Sequence, residues 1–276
     1  TAARSTRRSR IRRMALIDLT LLKARLGLLA GRFDVDALAE CDSTSSELLR
    51  RADRGAPAGT VIVADRQSAG RGRRGRTWLS APEASLTFSL LWRFSGPPGQ
   101  LAGLSLAVGV ALARGLENLG ASGIRLKWPN DVLFERDGDF AKLAGILIEL
   151  ASDRRGTQAI IGIGLNLLPP AVELPQPAAG LAQALVQLPD RHTVLASVLA
   201  ALAEVLEAFA VDGFGGLKME WQQRHAWQGL AVQVLGDESE PLAGVCLGAD
   251  DDGALLLETA AGVQRILSGD LSLRRA

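Results

Sequence analysis

The spacing of apolar and polar positions changes period several times along the chain. Residues 14–31 are apolar with Asp18, Lys23 and Arg25 interspersed, the pattern of a short amphipathic helix. In CDSTSSELLRRADRG (41–55) hydroxyl residues precede a helical pattern, with Ser43 or Thr44 as the cap and Gly55 as the stop. GTVIVADRQ (59–67) predicts a buried strand, and SLTFSLLWRF (85–94) alternates as another. Residues 100–119 predict a helix stopped by Gly120. IRLKWPNDVLF (124–134) predicts a strand interrupted at Pro129, which has no N–H to give to a ladder. KLAGILIEL (142–150) and QAIIGIGLNL (158–167) are two further strands. Four prolines between 169 and 177 require an irregular loop, and 191–210 and 214–224 read as helices.

From about residue 228 the texture becomes short strands with Gly/Asp turns, including Asp252-Gly253, which predicts a small barrel. The expected organisation is a basic arm over 1–13, an α/β catalytic unit over 14–226 and a small all-β unit over 227–276. No internal repeat is visible.

Composition narrows this picture. The chain has 276 residues, 47% hydrophobic and 22% charged, which is ordinary for a globular protein. Its formal net charge of +1 hides an asymmetry: six arginines lie in residues 1–13, and removing them leaves the remainder at −5. That segment reads as a disordered extension ahead of a natural start at Met14, or as a targeting or nucleic-acid arm. No apolar stretch follows it as in a secretory signal. Cys41 and Cys246 lie far apart and form no metal or disulfide framework, which suits a reducing cytoplasm. With only His192 and His225 available, a histidine metal site or catalytic triad is nearly excluded. No uninterrupted apolar run of about 18 residues is present, so no membrane association is expected.

Three stretches carry candidate chemistry. AGRGRRGRTW (69–78) alternates glycine with arginine ahead of a tryptophan. Glycine lets backbone N–H groups approach an anion, arginine grips carboxylate or phosphate, and Trp78 offers a face for stacking. An anion lid, an Arg/Gly nucleic-acid segment and a solvated loop all fit. The spacing matches neither a Walker A loop nor a Rossmann fingerprint. LKWPND (126–131) sets Lys127, Asn130 and Asp131 around a proline bend, suiting a nucleotide with Mg²⁺ or simple core packing with a turn. Lys142 enters an apolar strand, either to meet an anion or to snorkel from a strand end.

DST (42–44), GRGRRGRTW (70–78), KWPND (127–131), KLAGIL (142–147), GIGLNL (162–167) and SGDLSLR at the tail occur in order. This set resembles the biotin protein ligases, which biotinylate the carrier domain of acetyl-CoA carboxylase. The resemblance spans roughly 38–276. Relatives that also repress transcription carry an N-terminal winged helix-turn-helix, for which this sequence lacks the length, so it resembles the monofunctional class and no DNA binding is expected. The fold implied is α/β (α+β): a central mixed sheet with flanking helices, akin to class II aminoacyl-tRNA synthetases, plus an SH3-like tail barrel.

The reaction implied has two steps. Biotin and MgATP give biotinyl-5′-adenylate and pyrophosphate, and a carrier lysine then attacks the mixed anhydride. A carboxylate and the ATP phosphates repel by roughly 1 kcal/mol per contacting pair even in water, so cations must offset that repulsion. By resemblance, Ser43, Thr44, Ser45 and Gln67 hold the biotin ureido group. Gly70, Arg71, Gly72, Arg73 and Gly145 lie along biotin and its carboxylate. Arg73 also holds the adenylate phosphate, and Lys142 bridges carboxylate and α-phosphate; these two carry catalysis. Arg76, Trp78, Lys127, Asn130, Asp131, Asn166 and Arg274 serve ATP, with Asp131 a Mg²⁺ ligand; Asp270 and Arg274 match tail residues that serve ATP or the carrier. The family's first motif usually continues DSTN, whereas Ser45 follows Thr44 here, so one biotin contact is water-mediated or lost. Competing readings are a lipoate ligase, a nucleic-acid-binding module using the Arg/Gly loop, and a ligase-like fold without activity.

Overall fold

The computed structural model describes residues 15–154, 156–172, 174–236, 241–267 and 271–275. The basic arm, Met14 and Asp270 lie outside the described residues.

A seven-stranded sheet organises the larger part of the molecule. Its strands are β1 (Asp34–Cys41), β2 (Thr60–Gln67), β3 (Ser85–Phe94), β4 (Ile124–Lys127), β5 (Asp131–Arg136), β6 (Asp139–Asp153) and β7 (Gly156–Asn166), in the spatial order β1-β2-β3-β7-β6-β5-β4. Only β1 and β2 run parallel; the other neighbours are antiparallel. Side chains alternate across a strand, so each strand carries two separate messages. On β3, Leu86, Phe88 and Leu90 belong to the main core, beneath α3 (Leu104–Glu117) and α4 (Arg191–Asp212). Thr87 and Ser89 point to the opposite face. On β7, Ile161, Ile163 and Leu165 join the same core, whereas Gly162 and Gly164 face the other way. On that second face α2 (Thr44–Asp53) covers one end through a small cluster of Leu48, Ile62, Leu91 and Ile160. The rest of that face is left open for a ligand.

Three of the expected helices are shorter than their apolar patterns, whereas the one expected over 191–210 runs on to Asp212. Asp18 lies outside α1 (Leu19–Leu26) and caps it, accepting from the N–H groups of Thr20 and Leu21; the chain then leaves the helix at Gly27, φ 55°. The helix expected over 100–119 starts at Leu104, because Gly103 adopts the left-handed conformation, φ 79°. The helix expected over 214–224 is α5 (Lys218–Arg224), preceded by a 3-10 turn. The strand expected over 124–134 is two antiparallel strands joined at Trp128–Asn130. α4 is long and apolar enough to cross a bilayer, yet most of its apolar side chains are buried in the main core.

Strands β8 (Ala231–Gly236), β9 (Leu242–Ala249), β10 (Leu255–Thr259), β11 (Gly262–Ile266) and β12 (Leu271–Arg275) form a second, antiparallel sheet in the order β11-β10-β9-β8-β12. The chain thus has the expected α/β fold with a small C-terminal SH3-like β unit. Trp128, fully buried, donates its indole N–H to the Gly253 carbonyl at 3.1 Å and so pins a turn of the small sheet to the large one.

His225 sits at the same junction, stacked on Trp221 with ring centroids 4.4 Å apart, its Nε2 without a partner. Burial depresses its pKa to about 4. A histidine held neutral in the fold but free to protonate when unfolded makes the unfolded state bind more protons between pH 6.5 and 4. Stability is therefore full above about pH 6.5 and falls as the pH drops through 4, by roughly 3 kcal/mol from this group. Thermal melts of wild type and His225→Phe from pH 7.5 to 4 should show a smaller acid loss in the variant; parallel curves would show that His225 does not titrate this way.

Candidate functional site

The open part of the sheet's second face forms a cavity of about 940 Å³. Its floor follows from strand register. Thr87 on β3 pairs with Gly164 on β7, Gly164 with Gly145 on β6, and Gly145 with Asp131 on β5. Two side chains are therefore missing from the middle of a row across four strands, leaving a trough. Trp78 lies in it: a Cβ built on Gly164 would overlap the indole, 2.6 Å from Nε1, and one on Gly145 would stand 3.2 Å from the ring.

Cations gather at one end of the trough. Lys142 Nζ lies 2.6 Å from Asp131 Oδ1 and Lys127 Nζ 3.4 Å from Asp131 Oδ2. Burial alone would raise the Asp131 carboxyl, but the two ammonium groups outweigh it and hold the pKa below the usual carboxylate value. Burial drives the Lys127 ammonium down, with Asp131 pulling the other way. Lys142 reaches this point because the β5–β6 register shifts next to it, between Val132 and Leu133. The proline-rich loop holds the Lys142 backbone: its N–H donates to the Pro177 carbonyl at 2.8 Å and its carbonyl accepts from Ala179 N–H at 2.9 Å. Asn166 donates to the Ala179 carbonyl at 3.1 Å and so fastens the same loop.

The roof is the glycine–arginine segment, which folds as a miniature hairpin. Trp78 N–H donates to Gly70 O at 2.9 Å and Gly72 N–H to Arg76 O at 2.7 Å. Its tip, Arg73–Gly75, turns through Arg74 and Gly75 at φ 58° and 65°. Arg73 donates to Asn130 Oδ1 at 3.3 Å, tying the roof to the Lys127–Asp131 end. Arg71 forms a two-pronged ion pair with Glu149 of β6, at 2.9 and 2.6 Å. Arg76 lines the cavity. Gly70 does not; it packs against the Trp78 carbonyl and Gln67 and borders a second cavity behind the hairpin.

The opposite end is built from hydroxyls and one amide, and donor counting fixes their direction. Thr44 N–H donates to Gln67 at 2.7 Å. A backbone N–H only donates, so the accepting atom is Oε1 and the Gln67 Nε2 remains a donor for a ligand. Thr44 Oγ1 also donates to Gln67 Oε1 and accepts from Ser89 Oγ at 2.8 Å. Ser89 has then used its proton, so the 3.0 Å contact with Ser45 is donated by Ser45. Toward the cavity Ser45 therefore offers lone pairs only. Ser43 caps α2, accepting from Ser46 N–H at 3.5 Å. Asp42 receives Ser43 N–H and a two-pronged Arg50; the Arg50 bond first, and the backbone bond second, lower its pKa to about 2.

Arg274 of β12 lines the cavity from the small sheet and lies 3.5 Å from Gln176 of the proline-rich loop. Thus every expected site residue within the described set except Gly70 borders this one cavity. Sequence reasoning missed Ser89, Gly162, Gly164 and Glu149. The first three were readable as the alternate positions of strands otherwise apolar; Glu149 had no signal, since its partner is 78 residues away. Among the described residues no cluster of three acidic, histidine or cysteine side chains can hold a metal ion by itself.

Residues 38–166 match the biotin/lipoate A/B protein ligase family, and residues 229–274 match the biotin protein ligase C terminal domain. The chain is 37% identical over 264 residues to the bifunctional ligase/repressor BirA of Escherichia coli, covering 94% of this chain and 80% of that protein. It is 33% identical over 274 residues to the biotin–[acetyl-CoA-carboxylase] ligase of Mycobacterium tuberculosis, covering 96% and 98%. The biotin protein ligase of Aquifex aeolicus, solved in complex with biotin and ATP, superposes with a TM-score of 0.74 at 34% identity, covering 88% of this chain and 99% of that one. Both the larger part of the chain and its small β unit are thus matched in sequence, the whole is matched in shape, and the chain belongs to the biotin protein ligase family.

Proposed function

We infer that this protein activates biotin with ATP and transfers it to a lysine of a biotin carboxyl carrier protein, the carrier subunit of acetyl-CoA carboxylase. The observation that carries the reading is a single trough with opposite chemistry at its ends. Lys142, Lys127 and Asp131 stand at one end and the Gln67–Thr44–Ser89–Ser45 chain at the other. A ring urea supplies one carbonyl and two N–H groups. Gln67 Nε2 donates to the carbonyl, and Ser45 accepts from an N–H. A dithiolane ring has no such groups, which disfavours the lipoate alternative.

The biotin carboxylate lies toward Lys142. Its oxygen attacks the α-phosphorus of ATP, and pyrophosphate leaves with the electrons of the broken P–O bond. Lys142 neutralises charge on both partners and Asp131 fixes the ammonium. Arg73 and Arg76 hold phosphate oxygens, Lys127, Asn130 and Arg274 face the nucleotide, and Trp78 walls the adenine once the acid occupies the trough. Asn166 keeps the proline-rich loop in place beside it. The hairpin excludes water from the mixed anhydride until the carrier amine attacks the carbonyl carbon and AMP departs. Both Asp131 oxygens already face ammonium groups; Asp131 is the carboxylate lining the cavity, and it would help to hold a Mg²⁺ bound mainly through the ATP phosphates, which would supply further neutralisation of their charge.

Calorimetry with biotin, with and without MgATP, followed by mass spectrometry of a carrier fragment, tests the reading. A one-biotin mass shift is expected, and its absence together with lipoate turnover would reverse the assignment. Arg73→Gly should release activated biotin and label bystander lysines several-fold above wild type. Equal labelling of an unrelated protein by the two would show that Arg73 does not retain the intermediate.

A further inference from the structure

Thr87 occupies the end of the floor row opposite Asp131. Three strand spacings separate them, about 14 Å. It is 4% exposed and borders the cavity, yet its hydroxyl has no hydrogen-bond partner among the described residues. The contrast with its neighbour is informative. Ser89, two residues on and on the same face, has its proton and its lone pairs engaged by Thr44 and Ser45. Nothing on β2 or β7 reaches Thr87 in the same way: its register partners are Ala64 and Gly164. A buried hydroxyl without a partner costs stability, and valine, of nearly the same shape, would avoid the cost.

We propose that Thr87 Oγ1 is a specificity group of the acid pocket that accepts a hydrogen bond from a ring N–H of the bound urea. The inference rests on the biotin reading above and deepens it. With Gln67 Nε2 committed to the urea carbonyl, two N–H groups need acceptors. Ser45 supplies one set of lone pairs and Thr87 the other. The distance from Lys142 and Asp131 sets Thr87 at the ring end of the acid, away from the carboxylate.

The test is a pair of variants, Thr87→Val and Thr87→Ser, measured by biotin calorimetry, by steady-state kinetics and by thermal melting of the ligand-free protein. Thr87→Val should raise the biotin Kd and KM about 3- to 10-fold while kcat and the ATP KM hold. Its melting temperature without ligand should equal or exceed that of wild type, because an unpaired polar atom has gone. Thr87→Ser should restore biotin affinity. Loss of affinity with gain of stability is a combination that a merely structural hydroxyl does not give. Unchanged biotin binding in Thr87→Val would overturn the proposal and leave the hydroxyl to solvent. So would a lower melting temperature with an affinity loss that serine fails to rescue. Wild-type protein that bound no biotin would instead overturn the functional reading, and this role with it.

Discussion

Lys142→Ala is expected to lower adenylate formation by about 1000-fold or more while biotin still binds weakly. The size follows from what the ammonium does. It faces a buried carboxylate, Asp131, at 2.6 Å and stands where the acid and the α-phosphate must meet. Without it the two incoming anions repel each other in a partly buried site, and no other lysine can move in, because Lys127 is itself buried against Asp131 and the Trp227 ring, 5.0 Å away. The variant also leaves Asp131 with one cation instead of two, so its carboxyl pKa rises and the fold loses some stability. That loss must be separated from the loss of chemistry. Lys142→Met, which keeps the bulk of the side chain and leaves the Lys127–Asp131 pair intact, should hold the melting temperature close to wild type but not restore pyrophosphate release. Turnover near wild type in Lys142→Ala would remove Lys142 from the mechanism; recovery of turnover in Lys142→Met would show that Lys142→Ala had failed only by misfolding.

Gly164→Ala should cost about 100-fold in kcat/KM for biotin without unfolding the protein. Gly164 has ordinary strand geometry, and its neighbours on β3 and β6 are held by a continuous ladder, so alanine meets no backbone obstacle. The obstacle is in the trough. The new methyl would overlap the space now filled by the Trp78 indole, which must tilt out with the hairpin that carries it. A ligand ring lying there meets the same methyl. Alanine fits a strand better than glycine, which offsets part of the cost of displacing the indole, so the melting temperature should fall by only a few degrees. Kinetics and melts on the purified variant decide the point: wild-type kcat/KM would mean that the acid does not lie over Gly164.

Much of this was legible before the structure. The apolar runs at 59–67, 85–94, 142–150 and 158–167 are the four central strands β2, β3, β6 and β7. They are readable because a buried strand must be apolar on the face packed under helices. β1 was not readable. Its sequence DVDALAEC carries three acids and lies half exposed at the sheet's edge, so no periodicity betrays it. Lys142, Asp131 and the arginines of the hairpin were visible as cations and acids in unusual places, but composition alone left their purpose open, and their roles came from resemblance. What no pattern could supply is direction and pairing. The orientation of the Gln67 amide depends on a backbone N–H from another element. The Arg71–Glu149 pair joins a hairpin to a strand far along the chain. Trp128, in the KWPND motif, proves to be a bolt between the two sheets, with its polar atom bonded to a turn of the small one.

That bolt changes how the tail sheet must be regarded. Trp227 covers one side of the Lys127 ammonium, and Arg274 stands over the proline-rich loop. The tail therefore forms part of the insulating wall around the reacting charges. A substitution in it, however far from biotin, would be felt at the phosphates as a change in local polarisability, so drift in that sheet retunes the acidity of Lys127 and with it the grip on ATP.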